Sequence, residues 1–232
     1  MKVLLLRLES PLISFGGVSV DSLGVIDDLP SASLLTGLLG NALGYRRTMV
    51  EELQGLQDRL RFVVRIDRPG QRLTDYQTAD LHADDKAWTT HGVPEGRAGG
   101  AGSYEGQHQR YRDYHADAAA TVALCLDRTD ASPTLDDLAH ALDYPVRPLF
   151  IGRKPCLPSE RLLLGIVDAD GLLEALPHAV LADGACPPTR LFAPASSIGD
   201  PGNLKFHGLR NWVSGVHEGM QWWTEVATET AT

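Results

Sequence analysis

The sequence predicts an α+β fold in which the elements run βαββαβ, with a long insertion after the second strand and a smaller extension after the fourth. Three observations predict it. The apolar run KVLLLRL at residues 2–8 is followed by a well-capped amphipathic helix near 33–43. Two stretches, 61–67 and 114–127, alternate with period two as half-buried strands do. A compact helix between 134 and 142 then leads, through a proline-bearing loop, into a last apolar run at 162–167.

Composition narrows the class. At 232 residues the chain is long enough for one large domain, or one domain with an appended half. Its 21 basic and 30 acidic residues give a net charge of −9, which excludes a globally basic nucleic-acid binder. Any phosphate-binding surface must therefore be local. Three widely spaced cysteines, Cys125, Cys156 and Cys186, argue against a disulfide framework or a paired-cysteine metal site and fit a reducing, cytoplasmic setting. The first strand begins directly after Met1 and carries Arg7 and Glu9, unlike a signal peptide, and no stretch reads as a membrane span.

The elements follow in order. Residues 2–8 read as a central strand, and 10–29 as a long loop with few charges. In the helix at 33–43, Ser31 or Ser33 can cap the free N–H groups, and Gly44 stands where a left-handed terminator belongs. Paired leucines make a broad buried stripe, while Gly37 and Gly40 point to close packing on a sheet. Arg46 and Arg47 lie just past the end, at the negative pole of the helix dipole. A weaker helix spans 50–60. The strand at 61–67 places Arg61, Val63 and Arg65 on a face expected to meet solvent or a ligand.

From about 73 to 113 the chain reads as a hairpin arm. Its tip is rich in glycine; its stems carry Tyr76 on one side and Arg110, Tyr111, Arg112 and Tyr114 on the other. Trp88 is the arm's candidate for stacking or docking on a neighbour, and the tip is expected to order on a partner. The helix near 134–142 is capped by Ser132 or Thr134, with Pro133 suited to its first turn. Beyond residue 170, a short helix at 172–176 and an element at 220–226 are legible, and 180–201 has no clear order. Adjacent Trp222 and Trp223 must point to opposite faces of a strand, one toward the core.

The loop at 144–162 concentrates the chemistry. Gly152 permits a close backbone approach, Arg153 and Lys154 supply charge, and Pro148, Pro155 and Pro158 keep the loop extended. Read with the element order, which is the ferredoxin-like plan, this loop precedes the fourth strand at the end of the sheet. Histidines at 82, 91, 108 and 115, with Tyr45 and Lys154, are the candidates for metal-free general acid–base chemistry, but no paired His spacing stands out. No Cys or His pair has zinc-ligand spacing, so no metal and no cofactor is expected.

The segments MKVLLLRLESPLISFGG, LPSASLLTGLLGNALGYRR, TDYQTAD, YRDYHADAAATVALCL and PLFIGRKPCLP, in that order, resemble the CasD subunits of type I-E CRISPR Cascade complexes. The resemblance covers most of the N-terminal two-thirds. It implies a ferredoxin-like RNA-binding domain of the repeat-associated (RAMP) superfamily over 1–170, including the inserted arm, with 171–232 as an extension packing on it. It also implies a non-catalytic antiviral role: capping the 5′ end of the complex and holding the 5′ handle of the CRISPR RNA. Backbone and large subunits are the implied protein partners, and target DNA is met only through the complex. A related subunit of type I-C systems is a processing nuclease, which makes repeat-RNA cleavage the alternative. Carried over by matching segment, Gly152, Arg153 and Lys154 would face the handle, with Arg46, Arg47, Ser14 and Phe15 nearby. Arg110, Tyr111, Arg112 and Tyr114 would form the returning stem of the arm. One departure stands out. Where the family places cations before the first helix, this chain has Asp27, Asp28 and Pro30-Ser31-Ala32-Ser33. Either those contacts are absent or Arg46 and Arg47 supply them.

Overall fold

A computed structural model describes residues 1–17, 22–79, 87–88, 94–95, 108–185, 187–206, 208–217 and 219–226. The first strand, β1 (Lys2–Ile13), is longer than its apolar run because its far half keeps pairing along a neighbour. After the two-residue β2 (Leu23–Gly24) come α1 (Ala32–Leu43), α2 (Val50–Arg59), β3 (Leu60–Arg68) and β4 (Gln71–Ala79). A small pair, β5 (Ala87–Trp88) and β6 (Pro94–Glu95), precedes the 19-residue β7 (His108–Leu126). Then follow α3 (Leu135–Asp143), β8 (Leu163–Asp168), α4 (Leu172–Ala175), β9 (Arg190–Pro194), β10 (Leu204–Phe206) and β11 (Gln221–Val226).

Four strands form the centre in the spatial order β3-β7-β1-β8, every neighbouring pair antiparallel. The C-terminal strands continue the same sheet beyond β3, in the order β9, β11, β10. The result is a mixed α/β molecule with a large antiparallel sheet. The alternation of β1 divides its apolar residues between two cores. Leu4, Leu6 and Leu8 meet Leu35, Leu38 and Leu39 of α1, Leu56 of α2 and Leu138 of α3; Val3 and Leu5 meet Ala175, Leu176 and Ala179 on the opposite face.

Local signals explain the helix ends. Ser31 caps α1, its hydroxyl accepting the Leu34 N–H at 3.1 Å, and Gly44 terminates the helix at φ +86°. Thr134 caps α3 in a reciprocal pair with Asp137, so Pro133 lies before the cap and not in the first turn. Gly40 packs against α2 and not the sheet: a Cβ there would sit 2.7 Å from Leu53.

The second face of β3 departs from the expectation of a solvent or ligand surface. Arg65 is 5% exposed and Asp67 is fully buried. The Asp67 carboxylate receives Arg65 Nε at 2.5 Å, the Thr121 hydroxyl at 2.8 Å and the Ala182 N–H at 3.2 Å. Arg65 also donates to the carbonyls of Leu176 and Ala179. A buried charge needs such partners, and here they tie the 176–182 segment over the sheet. Among the described residues, no helix is long and apolar enough to cross a membrane.

Candidate nucleic-acid interface

The loop between α3 and β8 is folded onto the ends of β1 and α1. Ile151 and Cys156 close a tight turn, the Ile151 N–H donating to the Cys156 carbonyl at 2.8 Å. The Ser14 N–H donates to the Ile151 carbonyl at 3.3 Å, docking the turn on β1. Gly152 sits at φ +92°, and any Cβ there would collide with the Ser14 carbonyl oxygen. Its glycine is thus demanded by the protein's own backbone. Upstream, Arg147 donates to Asn41 Oδ1 at 2.7 Å, to the Gly44 carbonyl at 3.2 Å and to the Tyr45 carbonyl. A guanidinium on these carbonyls satisfies the end of α1 and its dipole.

Arg153 and Lys154 differ sharply. The Arg153 guanidinium donates to the carbonyls of Asp113 at 2.7 Å and Gly24 at 2.8 Å, and lies 4.9 Å from the Tyr114 ring centre. It braces the arm stem, β2 and the loop together. Lys154 is exposed and has no ion-pair partner among the described residues.

These elements enclose a cleft of about 1290 Å³. Its lining brings together Arg46, Arg47, Arg112, Arg147, Arg153, Lys154 and Arg210, with no Asp or Glu among the described lining residues. In a chain carrying nine surplus negative charges, a concave wall with seven cations is a strong local reversal of sign. Tyr45, Phe150 and Trp212 add rings to the wall. Burial, then the charge of Glu52, pushes the Tyr45 phenol above its ordinary value, so it stands as a donor.

The structure thus gathers Ser14, Arg46, Arg47, Arg112, Gly152, Arg153 and Lys154 of the expected residues at one cleft. Others are placed elsewhere. Phe15 and Tyr114 are each 3% exposed and belong to the main core, so their rings are not available for stacking on a base. Tyr76 and Tyr111 face each other on the β4–β7 stem, ring centres 5.1 Å apart. Strand alternation puts that pair on the face opposite Arg110 and Arg112, and Arg110 does not reach the cleft wall. The side chain of Trp88, the arm residues 80–86, 89–93 and 96–107, including His82 and His91, the side chain of His108, and Cys186 lie outside the described residues. His115 is held by the Asp27 carbonyl at 2.9 Å and by Phe15. Trp223 is fully buried against Phe62 while Trp222 is half exposed, as their adjacency requires. Among the described residues, no three His, Cys, Asp or Glu side chains converge as metal ligands.

Among the lining residues that escaped the sequence reading are Arg147, Phe150, Arg210 and Trp212. Arg147 stood in plain view five residues before Gly152, but nothing local distinguishes a helix-capping arginine from a solvated one. Arg210 and Trp212 come from the C-terminal segment, which is docked at the cleft by the Ser33 N–H donating to the Gly208 carbonyl at 3.0 Å and by Gln54 and Gln57 of α2. The Gln57 side chain both receives the Arg210 N–H at 3.2 Å and donates to the Arg210 carbonyl at 2.8 Å, and the Trp212 N–H donates to Gln54 at 3.1 Å.

Comparison with known proteins agrees with this architecture. A family model described as CRISPR-associated protein (Cas_Cas5) matches residues 3–221. The CRISPR system Cascade subunit CasD of Escherichia coli (strain K12) is 30% identical over 180 residues, 75% of each chain. A chain of a solved CRISPR RNA-guided surveillance complex superposes with a TM-score of 0.71 at 26% identity, covering 97% of this chain and 89% of the other. A crystal structure of a Cas protein gives 0.66 at 26% identity, covering 97% and 93%. With a family match over residues 3–221 and a superposition that covers 97% of its length, the chain belongs to the Cas5 family of CRISPR-associated proteins.

Proposed function

We propose that this chain is a non-catalytic, RNA-binding subunit of a type I-E Cascade surveillance complex, and that its cleft holds the 5′ handle of the CRISPR RNA. The observation that carries the reading is the cleft wall of seven cations, with no carboxylate among its described lining residues, on a protein of net charge −9. Such a wall suits a phosphate backbone, and the flanking rings suit unpaired bases. The order β3-β7-β1-β8, with α1 and α3 packed in one core, supports a ferredoxin-like RAMP domain over 1–170 with an extension after it. CasD is a Cascade subunit by name and the superposed chain belongs to an RNA-guided complex. Backbone and large subunits are accordingly the proposed protein partners, with target DNA met through the complex.

The test is binding of a labelled handle RNA to the full chain carrying Arg46→Glu, Arg47→Glu and Lys154→Glu. All three side chains are exposed, so the fold should persist. Arg153 is left intact because its reversal would break the brace and confound the result. Affinity should fall about a hundredfold or more, with a shallower salt dependence. A folded triple variant that binds as the parent does would refute the proposal. Two candidates of the nuclease alternative, Tyr45 and Lys154, do line the cleft. Incubation with labelled repeat RNA in EDTA separates the readings, since the proposed role yields no cleavage product.

A further inference from the structure

We propose that Arg47 and Arg210 form a clamp for a single phosphodiester of the bound strand, built where the C-terminal segment meets the end of α1; this rests on RNA being the ligand of the cleft. Both terminal guanidinium nitrogens open on the same point. They lie 3.9 and 3.5 Å from the position a Cβ would take on Gly215, which has φ +74° and no side chain to fill that space. One phosphate can receive a hydrogen bond from each.

Arg210 is held in place without being neutralised. Its backbone is clipped twice to Gln57, and its guanidinium lies 5.2 Å from the Trp212 ring centre, itself anchored by Nε1–H donation to Gln57 at 3.2 Å. Its Nε is buried, with no hydrogen-bond partner among the described residues. Burial, then the charge of Arg47, holds this guanidinium below its ordinary value. Arg147, Arg153 and Arg112 each donate to carbonyls of their own chain. Arg47, in contrast, is exposed and makes no ion pair among the described residues. Two like charges brought together with no carboxylate among the described residues describe a site that an external anion completes.

The experiment uses the full chain and a single-stranded handle RNA in which one linkage at a time is made a neutral methylphosphonate. Wild type, Arg47→Gln and Arg210→Gln are compared. One linkage should cost the wild type about tenfold in affinity and cost each variant clearly less at that same linkage, while each variant alone loses about tenfold. Should Arg210→Gln fail to fold, the exposed Arg47→Gln carries the comparison. Variants that bind as tightly as wild type, or that lose as much as wild type at every neutral linkage, overturn the clamp. Wild type that binds no RNA overturns the reading of the cleft, and the clamp with it.

Discussion

Arg153 and Lys154 adjoin in the chain yet sit in different surroundings. The arginine spends its donors on two carbonyls and an aromatic ring of its own protein, whereas the lysine faces open solvent in the cleft. Sequence could place both in one loop, but which one is free depends on β2 and β7 arriving beside it. Arg153→Gln should therefore weaken the arm stem as well as RNA binding, and Lys154→Gln only the latter. Gly152 shows a similar limit. A glycine that admits a close approach was legible, but the group it admits is the Ser14 carbonyl. Gly152→Ala combines that collision with a left-handed backbone, and should destabilise the protein by about 2 kcal/mol or more. Urea unfolding midpoints measure it, and a variant as stable as the parent contradicts the assigned conformation.

Among the elements, α1 was readable nearly end to end because Ser31, paired leucines and Gly44 all specify the same helix. The arm stem was readable from its residues, and its register now shows which of them share a face. By contrast, β9 was not readable, since a five-residue strand between proline-rich turns has too short a period. The cationic face of β3 misled for another reason: its arginine faces a buried carboxylate that lies two residues onward on the same strand. The stem also carries a pH dependence. Asp113 accepts from Arg72 and Thr74 at 2.6 Å each, and these bonds, Arg72 first, hold its carboxyl below the ordinary 3.8. A lowered folded value means the contribution is complete above about 3.8 and is lost as pH falls through the depressed value. Amide protection along β4 should exceed that of Asp113→Asn about threefold at neutral pH, converging below pH 3.8. A ratio unchanged from pH 7 to pH 3 would argue against the pair.

For the whole molecule, the sheet does two jobs with its two faces. One buries the leucines of α1, α2 and α3; the other is covered by the segment after β8 and locked by Arg65 and Asp67. The cleft forms at the sheet's end, where the loop before β8, the end of α1 and the C-terminal segment meet. This convergence explains how a chain with surplus acid presents a positive wall, which the proposed function gives to the RNA phosphates: Arg46, Arg47, Arg147 and Arg210 stand around the same space. Ultraviolet crosslinking of handle RNA to the full chain, read by mass spectrometry, tests this most directly. Crosslinks should concentrate on peptides spanning 45–48, 147–154 and 210–212. Crosslinks confined to the covered face, on peptides spanning 163–182, with none from the cleft, would contradict it.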